Sequence, residues 1–111
     1  GPGPLPPLDV QTAGQLYRIA QEAVTNATKH GQTRRIEIRL AKERRGLLLS
    51  VRDTGKGIAA KKKTGVGLGL DIMRYRAGLI GATLWIDSQP RRGTTVNCLL
   101  PGAAPARKKT R

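Results

Sequence analysis

A glycine-rich run precedes a predicted helix in the second half of the chain, where residues 65–69 read GVGLG. The first amides of a helix have no partner within the helix, so such a run can bind phosphate through backbone N–H groups. The run is not a P-loop, because no Gly-Lys-Ser/Thr follows it, and it is not the dinucleotide-binding fingerprint. Taken alone, it is equally compatible with a flexible hinge.

A carboxylate stands at the end of a predicted strand. Asp53 has the same parity as the apolar residues Leu47, Leu49 and Val51, so it should point toward the helix-covered face of a sheet. A carboxylate on that face costs desolvation energy unless a hydrogen-bond donor meets it. The segment 53–57, which reads DTGKG, is also compatible with a simple turn.

Four polar residues share one stripe of a predicted N-terminal helix. They are Arg18, Glu22, Asn26 and Lys29. Their spacing of four, four and three residues places them on one side of the helix, away from its apolar stripe. Without further evidence such a stripe is a solvated helix face. His30, taken alone, is a helix-end residue that favours the helix dipole.

Composition excludes several classes of protein. With one histidine and one cysteine, the chain offers neither a zinc site made of protein ligands alone nor a hydrolase triad. It has no run of about 18 apolar residues and no signal-peptide pattern, so we expect a cytoplasmic domain without membrane contact. The net charge of +14 predicts an anionic partner: nucleotide phosphate, nucleic acid or an acidic protein. One Trp, two Tyr and no Phe argue against a base-stacking platform, and we expect no specific nucleic-acid partner.

Hydrophobic periodicity predicts the elements that must position these residues. Residues 12–30 repeat apolar side chains at helical spacing, and Thr12 with Gln15 matches a capping box. Alternation over 36–40 and 47–52 predicts an antiparallel hairpin.

A glycine-rich loop over residues 54–67 separates this hairpin from a second helix, predicted over 68–80. Strands over 83–87 and 94–100 form a second hairpin. The predicted fold is a two-layer α/β sandwich with helices on one face of the sheet. The predicted apolar face of the second helix consists of Leu68, Ile72, Tyr75 and Leu79.

At 111 residues with 38% apolar content, the chain is one small domain with a buried core. We interpret residues 1–4 as a protease-cleavage scar and linker, residues 5–101 as the domain, and residues 102–111 as a basic, disordered tail.

Three motifs together resemble the ATP-binding catalytic domain of sensor histidine kinases. Residues 21–30 (QEAVTNATKH) resemble the N box, residues 53–58 (DTGKGI) the G1 box, and residues 65–70 (GVGLGL) the G2 box, in the family's order. The patterns LYRIAQEA at 16–23 and MRYRA at 73–77, with the short loop between the G boxes, are similar to the NarL/DesK-type branch. The wider superfamily is the Bergerat-fold (GHKL) ATPases. The resemblance therefore implies an α+β class with helices on one face of a mostly antiparallel mixed sheet.

The resemblance also implies roles for individual residues. Asn26 would bind Mg²⁺ through its amide oxygen. Glu22 would stand over the γ-phosphate of ATP as a base or water-orienting carboxylate, and Asp53 would accept a hydrogen bond from the adenine amino group. The ATP-binding set implied by the resemblance is Asn26, Lys29, His30, Asp53, Gly55, Gly57, Ile58, Gly65, Val66, Gly67, Leu68, Gly69, Leu70 and Thr95.

The implied activity is phosphoryl transfer from Mg·ATP to a histidine on a dimerisation domain of the parent protein, with a response regulator downstream. We expect no autophosphorylation by this fragment alone, because His30 belongs to the N box. Two alternatives remain: an anti-sigma-type serine kinase or ATPase of the same fold, and a degenerate basic binding module.

Overall fold

A computed structural model describes residues 8–30, 35–54, 69–89 and 92–102, without the side chains of Lys29, His30 and Gln89. Each predicted helix and strand is present, and the strands are longer than predicted. The elements are α1 (Val10–His30), β1 (Ile36–Glu43), β2 (Gly46–Asp53), α2 (Leu70–Leu79), β3 (Thr83–Gln89) and β4 (Gly93–Pro101).

The four strands form one sheet in the order β1-β2-β4-β3. Both predicted hairpins, β1–β2 and β3–β4, are confirmed, and β2 pairs with β4 between them. All three pairings among the described strands are antiparallel. Residues directly opposite each other in antiparallel strands point to the same face, so this register decides which side chains meet.

The α1 helix begins two residues earlier than predicted. Its cap is Asp9, whose Oδ1 accepts a hydrogen bond from the Thr12 N–H at 2.7 Å. This bond holds the pKa of the Asp9 carboxyl below its usual value. The predicted capping box of Thr12 and Gln15 is wrong, because Thr12 already lies in the first turn. The Gln15 Oε1 instead accepts a hydrogen bond from the Arg76 guanidinium of α2 at 3.1 Å.

At 21 residues, α1 has the length of a membrane-spanning segment, but polar side chains recur along it. Within the described ranges, no helix is both long enough and apolar enough to cross a membrane.

The hydrophobic core lies between the two helices and one face of the sheet. Ile19 of α1, Met73 of α2 and Cys98 of β4 are its fully buried centre. Burial raises the pKa of the Cys98 thiol to about 11, so the thiol is neutral at physiological pH and acts as a small apolar side chain. The other core members are Leu16, Ala23, Leu47, Leu49, Val51, Ala77 and Val96.

The α2 helix buries a different face from the one predicted. Met73 and Ala77 face the core. The predicted face is wrong, since three of its members are more than half exposed and the fourth, Leu68, lies outside the described residues. The exposed members are Ile72, Tyr75 and Leu79. The helix carries two apolar stripes on different sides, and the hydrogen bond from Arg76 to Gln15 of α1 accompanies the packing of the Met73 stripe on the core.

Candidate nucleotide-binding site

The predicted inward-facing carboxylate is present at the end of β2. Asp53 is 7% exposed and lies on the helix side of the sheet. Directly opposite it on β4 is Thr94, which is 5% exposed. The Thr94 and Ser88 hydroxyls share a hydrogen bond of 3.1 Å. Three polar side chains therefore share one end of the sheet face whose centre is the apolar core.

The glycine before Thr94 is required by the close approach of two strands. Gly93 has a φ of +91°, and a β-carbon there would overlap the Asp53 carbonyl oxygen. Only glycine adopts this positive φ without strain and leaves room for the Asp53 carbonyl oxygen. Gly93 therefore allows β4 to reach the end of β2 and places Thr94 beside Asp53.

The strand register places Thr94, and not the predicted contact residue Thr95, on the same face as Asp53. Thr95 lies directly opposite Arg52 and Asp87, on the face of the sheet away from the helices. Successive strand residues point to opposite faces, so Thr94 and Thr95 cannot share a site. The sequence carried the signal, because Thr94 has the same parity as the buried Cys98.

Asn26 lies deeper than predicted. It is 8% exposed, whereas Glu22 one turn earlier is half-buried and Arg18 is exposed. The polar stripe of α1 is therefore not a uniform solvent face: its last described member adjoins the core near Ala23 and Ala27. The prediction that this stripe lies apart from the core is wrong for Asn26.

The Glu22 side chain meets the start of α2. A β-carbon at Gly69 would overlap the Glu22 carboxylate. Gly69 is the N-cap of α2, with a left-handed φ of +68°, and no described side chain caps the helix there. The positive end of a helix dipole stabilises a nearby carboxylate. The structure thus brings together one residue of the N-box segment and one of the G2-box segment.

The remaining predicted site residues lie at the ends of the described segments or outside them. Leu70 begins α2 and packs, half-buried, against the core. Lys29 and His30 belong to the last turn of α1, but their side chains are not described. The others lie outside the described residues: Gly55, Gly57, Ile58, Gly65, Val66, Gly67 and Leu68.

The described residues fit a magnesium ion that is held mainly by the phosphates of a bound nucleotide and by water. Among them, no group of three or more His, Cys, Asp and Glu side chains could hold a metal ion. Mg²⁺ usually keeps several waters and binds one or two protein oxygens together with substrate phosphates. A single amide oxygen from Asn26 is consistent with that chemistry.

Comparison with known proteins agrees with this geometry. The family model described as histidine kinase-, DNA gyrase B-, and HSP90-like ATPase matches residues 11–104. The sensor protein VraS of Staphylococcus saprophyticus is 40% identical over 86 residues, which are 78% of this chain and 25% of VraS. VraS of Staphylococcus aureus is 38% identical over the same length. The chain therefore spans about a quarter of the length of these relatives.

Solved structures show the same fold. The histidine kinase domain of a blue-light-activated kinase from Erythrobacter litoralis matches with a TM-score of 0.72 at 29% identity, covering 85% of this chain and 46% of that one. The ATP-binding domain of PrrB from Mycobacterium tuberculosis matches with a TM-score of 0.69 at 27% identity, covering 80% and 68%. The chain belongs to the family of histidine kinase-, DNA gyrase B- and HSP90-like ATPases, as an ATP-binding catalytic domain of the histidine kinase type.

Proposed function

We propose that this domain transfers the γ-phosphate of Mg·ATP to a histidine on a dimerisation domain of its parent protein, from which a response regulator receives it. The setting is cytoplasmic, and the sequence patterns at 16–23 and 73–77 favour the NarL/DesK-type branch. The observation that carries the proposal is the buried carboxylate of Asp53 beside Thr94, at the end of the sheet face that the helices cover.

Asp53 and Thr94 recognise adenine in this proposal. A carboxylate accepts hydrogen bonds, and the adenine amino group donates them. Guanine carries a carbonyl at the corresponding position, which would face the carboxylate as a second acceptor. The pair therefore selects ATP over GTP.

Glu22 is the proposed catalytic carboxylate. The unprotonated nitrogen of the acceptor imidazole attacks the γ-phosphorus, the bond from that phosphorus to the β–γ bridging oxygen breaks, and ADP leaves. Glu22 accepts the proton that the other ring nitrogen gives up as the new N–P bond forms. Its contact with Gly69 fixes it at the start of α2, where free helix amides can donate to phosphate oxygens. The glycines and Leu68 of the 55–69 segment, with Lys29 and His30, complete the phosphate and purine contacts.

Asn26 is the proposed magnesium ligand. It lies one turn after Glu22 on α1, so both side chains address the same region. When bound, Mg·ATP supplies the phosphoryl group and a cation that offsets charge on the triphosphate. The part played by Asn26 is to hold that cation in place next to the start of α2.

A transfer assay in trans tests this function. The chain is mixed with the separately produced dimerisation domain of its parent protein and labelled ATP. Glu22→Gln keeps the size of the side chain and removes its basicity, so we expect ATP binding to persist and histidine phosphorylation to fall at least about a hundredfold. Arg18→Gln, one turn earlier and exposed, is the matched control and should retain both. Undiminished transfer by Glu22→Gln, or no binding of ATP by the unsubstituted chain, would contradict the proposal.

A further inference from the structure

The face of the sheet away from the helices carries a cavity of about 270 Å³. It is lined by Arg52, Asp87, Arg92, Gly93 and Thr95. Its volume is below the range of about 300–1,000 Å³ that is common for sites of drug-sized ligands, so it suits a small ligand.

Strand register builds the floor of this cavity. Arg52 of β2, Thr95 of β4 and Asp87 of β3 lie directly opposite one another in a single row across three strands. Neighbours in such a row have β-carbons about 4.5–5.5 Å apart. Arg92, in the β3–β4 turn, brings a second guanidinium to the same place.

The charges at this cavity are unbalanced. Neither the Arg52 side chain nor the Arg92 side chain has a hydrogen bond or ion pair with another residue of the described ranges. The Asp87 carboxylate is held from one side, because its Oδ2 accepts a hydrogen bond from the Asn97 amide at 3.1 Å. Asn97 is itself only 7% exposed and accepts a hydrogen bond from the Ser50 hydroxyl at 3.1 Å. Two guanidinium groups thus border a cavity whose one carboxylate is tied into a separate network.

We propose that this cavity binds a small phosphate dianion, either the free ion or a phosphomonoester. Guanidinium groups present paired N–H donors that match the oxygens of phosphate. Their two positive charges exceed the single negative charge of Asp87, so the cavity lining keeps a net positive charge, and the Thr95 hydroxyl adds a neutral donor. The free oxygen of Asp87 can accept a hydrogen bond from a hydroxyl group of an ester.

This site is separate from the nucleotide site. Arg52 and Asp53 are adjacent in β2 and point to opposite faces, as do Thr95 and Thr94 in β4. The proposal therefore stands or falls independently of the kinase activity.

Residue-resolved NMR titration of the full chain tests the proposal. The probes are inorganic phosphate and glycerol 3-phosphate, added at constant ionic strength set with chloride. We expect saturable shifts of the Arg52, Asp87 and Thr95 amides with both. Arg52→Gln and Arg92→Gln should each raise the dissociation constant at least about threefold, since a hydrogen bond to a charged group is lost.

Arg39→Gln is the matched control. Arg39 lies on the same face, opposite Ser50 on β2, and does not line the cavity. The substitution Arg39→Gln removes the same positive charge and should change the dissociation constant for phosphate by no more than about twofold. Tighter binding of glycerol 3-phosphate than of inorganic phosphate identifies the ester as the ligand, and tighter binding of inorganic phosphate identifies the free ion. Non-saturating shifts, an equal loss in Arg39→Gln, or saturable shifts confined to Glu22 and Gly69 would overturn the proposal.

Discussion

The Glu22 carboxylate lies against the Cα of Gly69, in the space that a β-carbon would otherwise fill. This contact joins α1 to the first residue before α2. A side chain at position 69 would displace the Glu22 carboxylate from this place, and the left-handed φ of +68° independently favours glycine there. The position of the proposed catalytic carboxylate therefore depends on a glycine 47 residues later in the chain.

Gly69→Ala should both strain the backbone and displace Glu22. A left-handed residue other than glycine costs about 1–2 kcal/mol, and moving the flexible Glu22 side chain aside adds a smaller cost. We expect the free energy of unfolding to fall by at least about 1 kcal/mol in chemical denaturation. Adding Glu22→Ala removes the overlap and leaves the backbone strain. The double variant should therefore lose less free energy of unfolding than the two single variants lose in total.

Gly78→Ala is the control for that substitution. Gly78 lies within the same helix at ordinary helical φ, with nothing within 4 Å of the position of an added β-carbon. Alanine is favoured over glycine inside helices by about 0.5–1 kcal/mol, so this variant should be more stable than the parent chain. Destabilisation by both substitutions would show that α2 tolerates no added methyl group, and would remove Glu22 from the explanation.

Asp53→Asn should weaken ATP binding about tenfold or more, because a hydrogen bond to a charged group contributes about 1.5–3 kcal/mol. The parent chain should bind GTP poorly. Calorimetric titration with both nucleotides measures this. Asp87→Asn makes the same change on the opposite face of the sheet and should leave ATP affinity intact. Equal affinities of the parent chain for ATP and GTP would refute the adenine contact.

Thr94→Val and Thr95→Val form a matched pair of neighbouring isosteric changes. Thr94→Val removes the hydroxyl that bonds to Ser88 and lies opposite Asp53, so we expect ATP affinity to fall about two- to tenfold. Thr95→Val changes the other face and should have no effect on ATP. The reverse ranking, read by the same calorimetry, would restore the assignment made from sequence.

Cys98 should make the domain less stable in alkaline solution. Its pKa in the folded protein is about 11, against 9.0 for an unperturbed thiol. Below pH 9 the thiol is protonated in both states and pH has no effect through it. Between about pH 9 and 11 the unfolded chain loses this proton first, so stability falls, by an amount on the order of 2 kcal/mol over the whole window.

Urea denaturation of the parent chain and of Cys98→Ala between pH 8 and 11 isolates this effect. The variant should be less stable at pH 8, because a buried side chain is shortened. Its stability should then decline less steeply with pH, while lysines and tyrosines titrate alike in both proteins. Parallel pH profiles would mean that the thiol is not shielded from solvent.

Local alternation was enough to predict the sheet and the place of Asp53. Strand parity depends only on neighbouring residues, and the apolar positions Leu47, Leu49 and Val51 leave one choice for the face that Asp53 joins. The same rule applied to β4 would have selected Thr94. The face of the sheet that Thr94 and Thr95 each join could therefore be predicted from the sequence, whereas the nucleotide contact of either residue stays a prediction.

Helix rotation and helix depth could not be predicted in the same way. The α2 sequence offers two apolar stripes, and a contact 61 residues away, between Arg76 and Gln15, accompanies the choice between them. Asn26 is buried because α1 presents the inner edge of its polar stripe to the core. The rotation of α2 and the burial of Asn26 are both decided by packing between elements, so the sequence of a single helix does not predict them. The assignments within residues 55–68 stay predictions.

The pairing of β2 with β4 also limits how this chain can change in length. Because Arg52 and Asp53 address opposite faces, as do Thr95 and Thr94, the two faces carry different chemistry at the same level of the sheet. Inserting or deleting one residue in either strand would exchange the faces beyond that point, and in β2 it would send the Arg52 guanidinium toward the helices. Length changes within these two strands should therefore be tolerated only in steps of two residues.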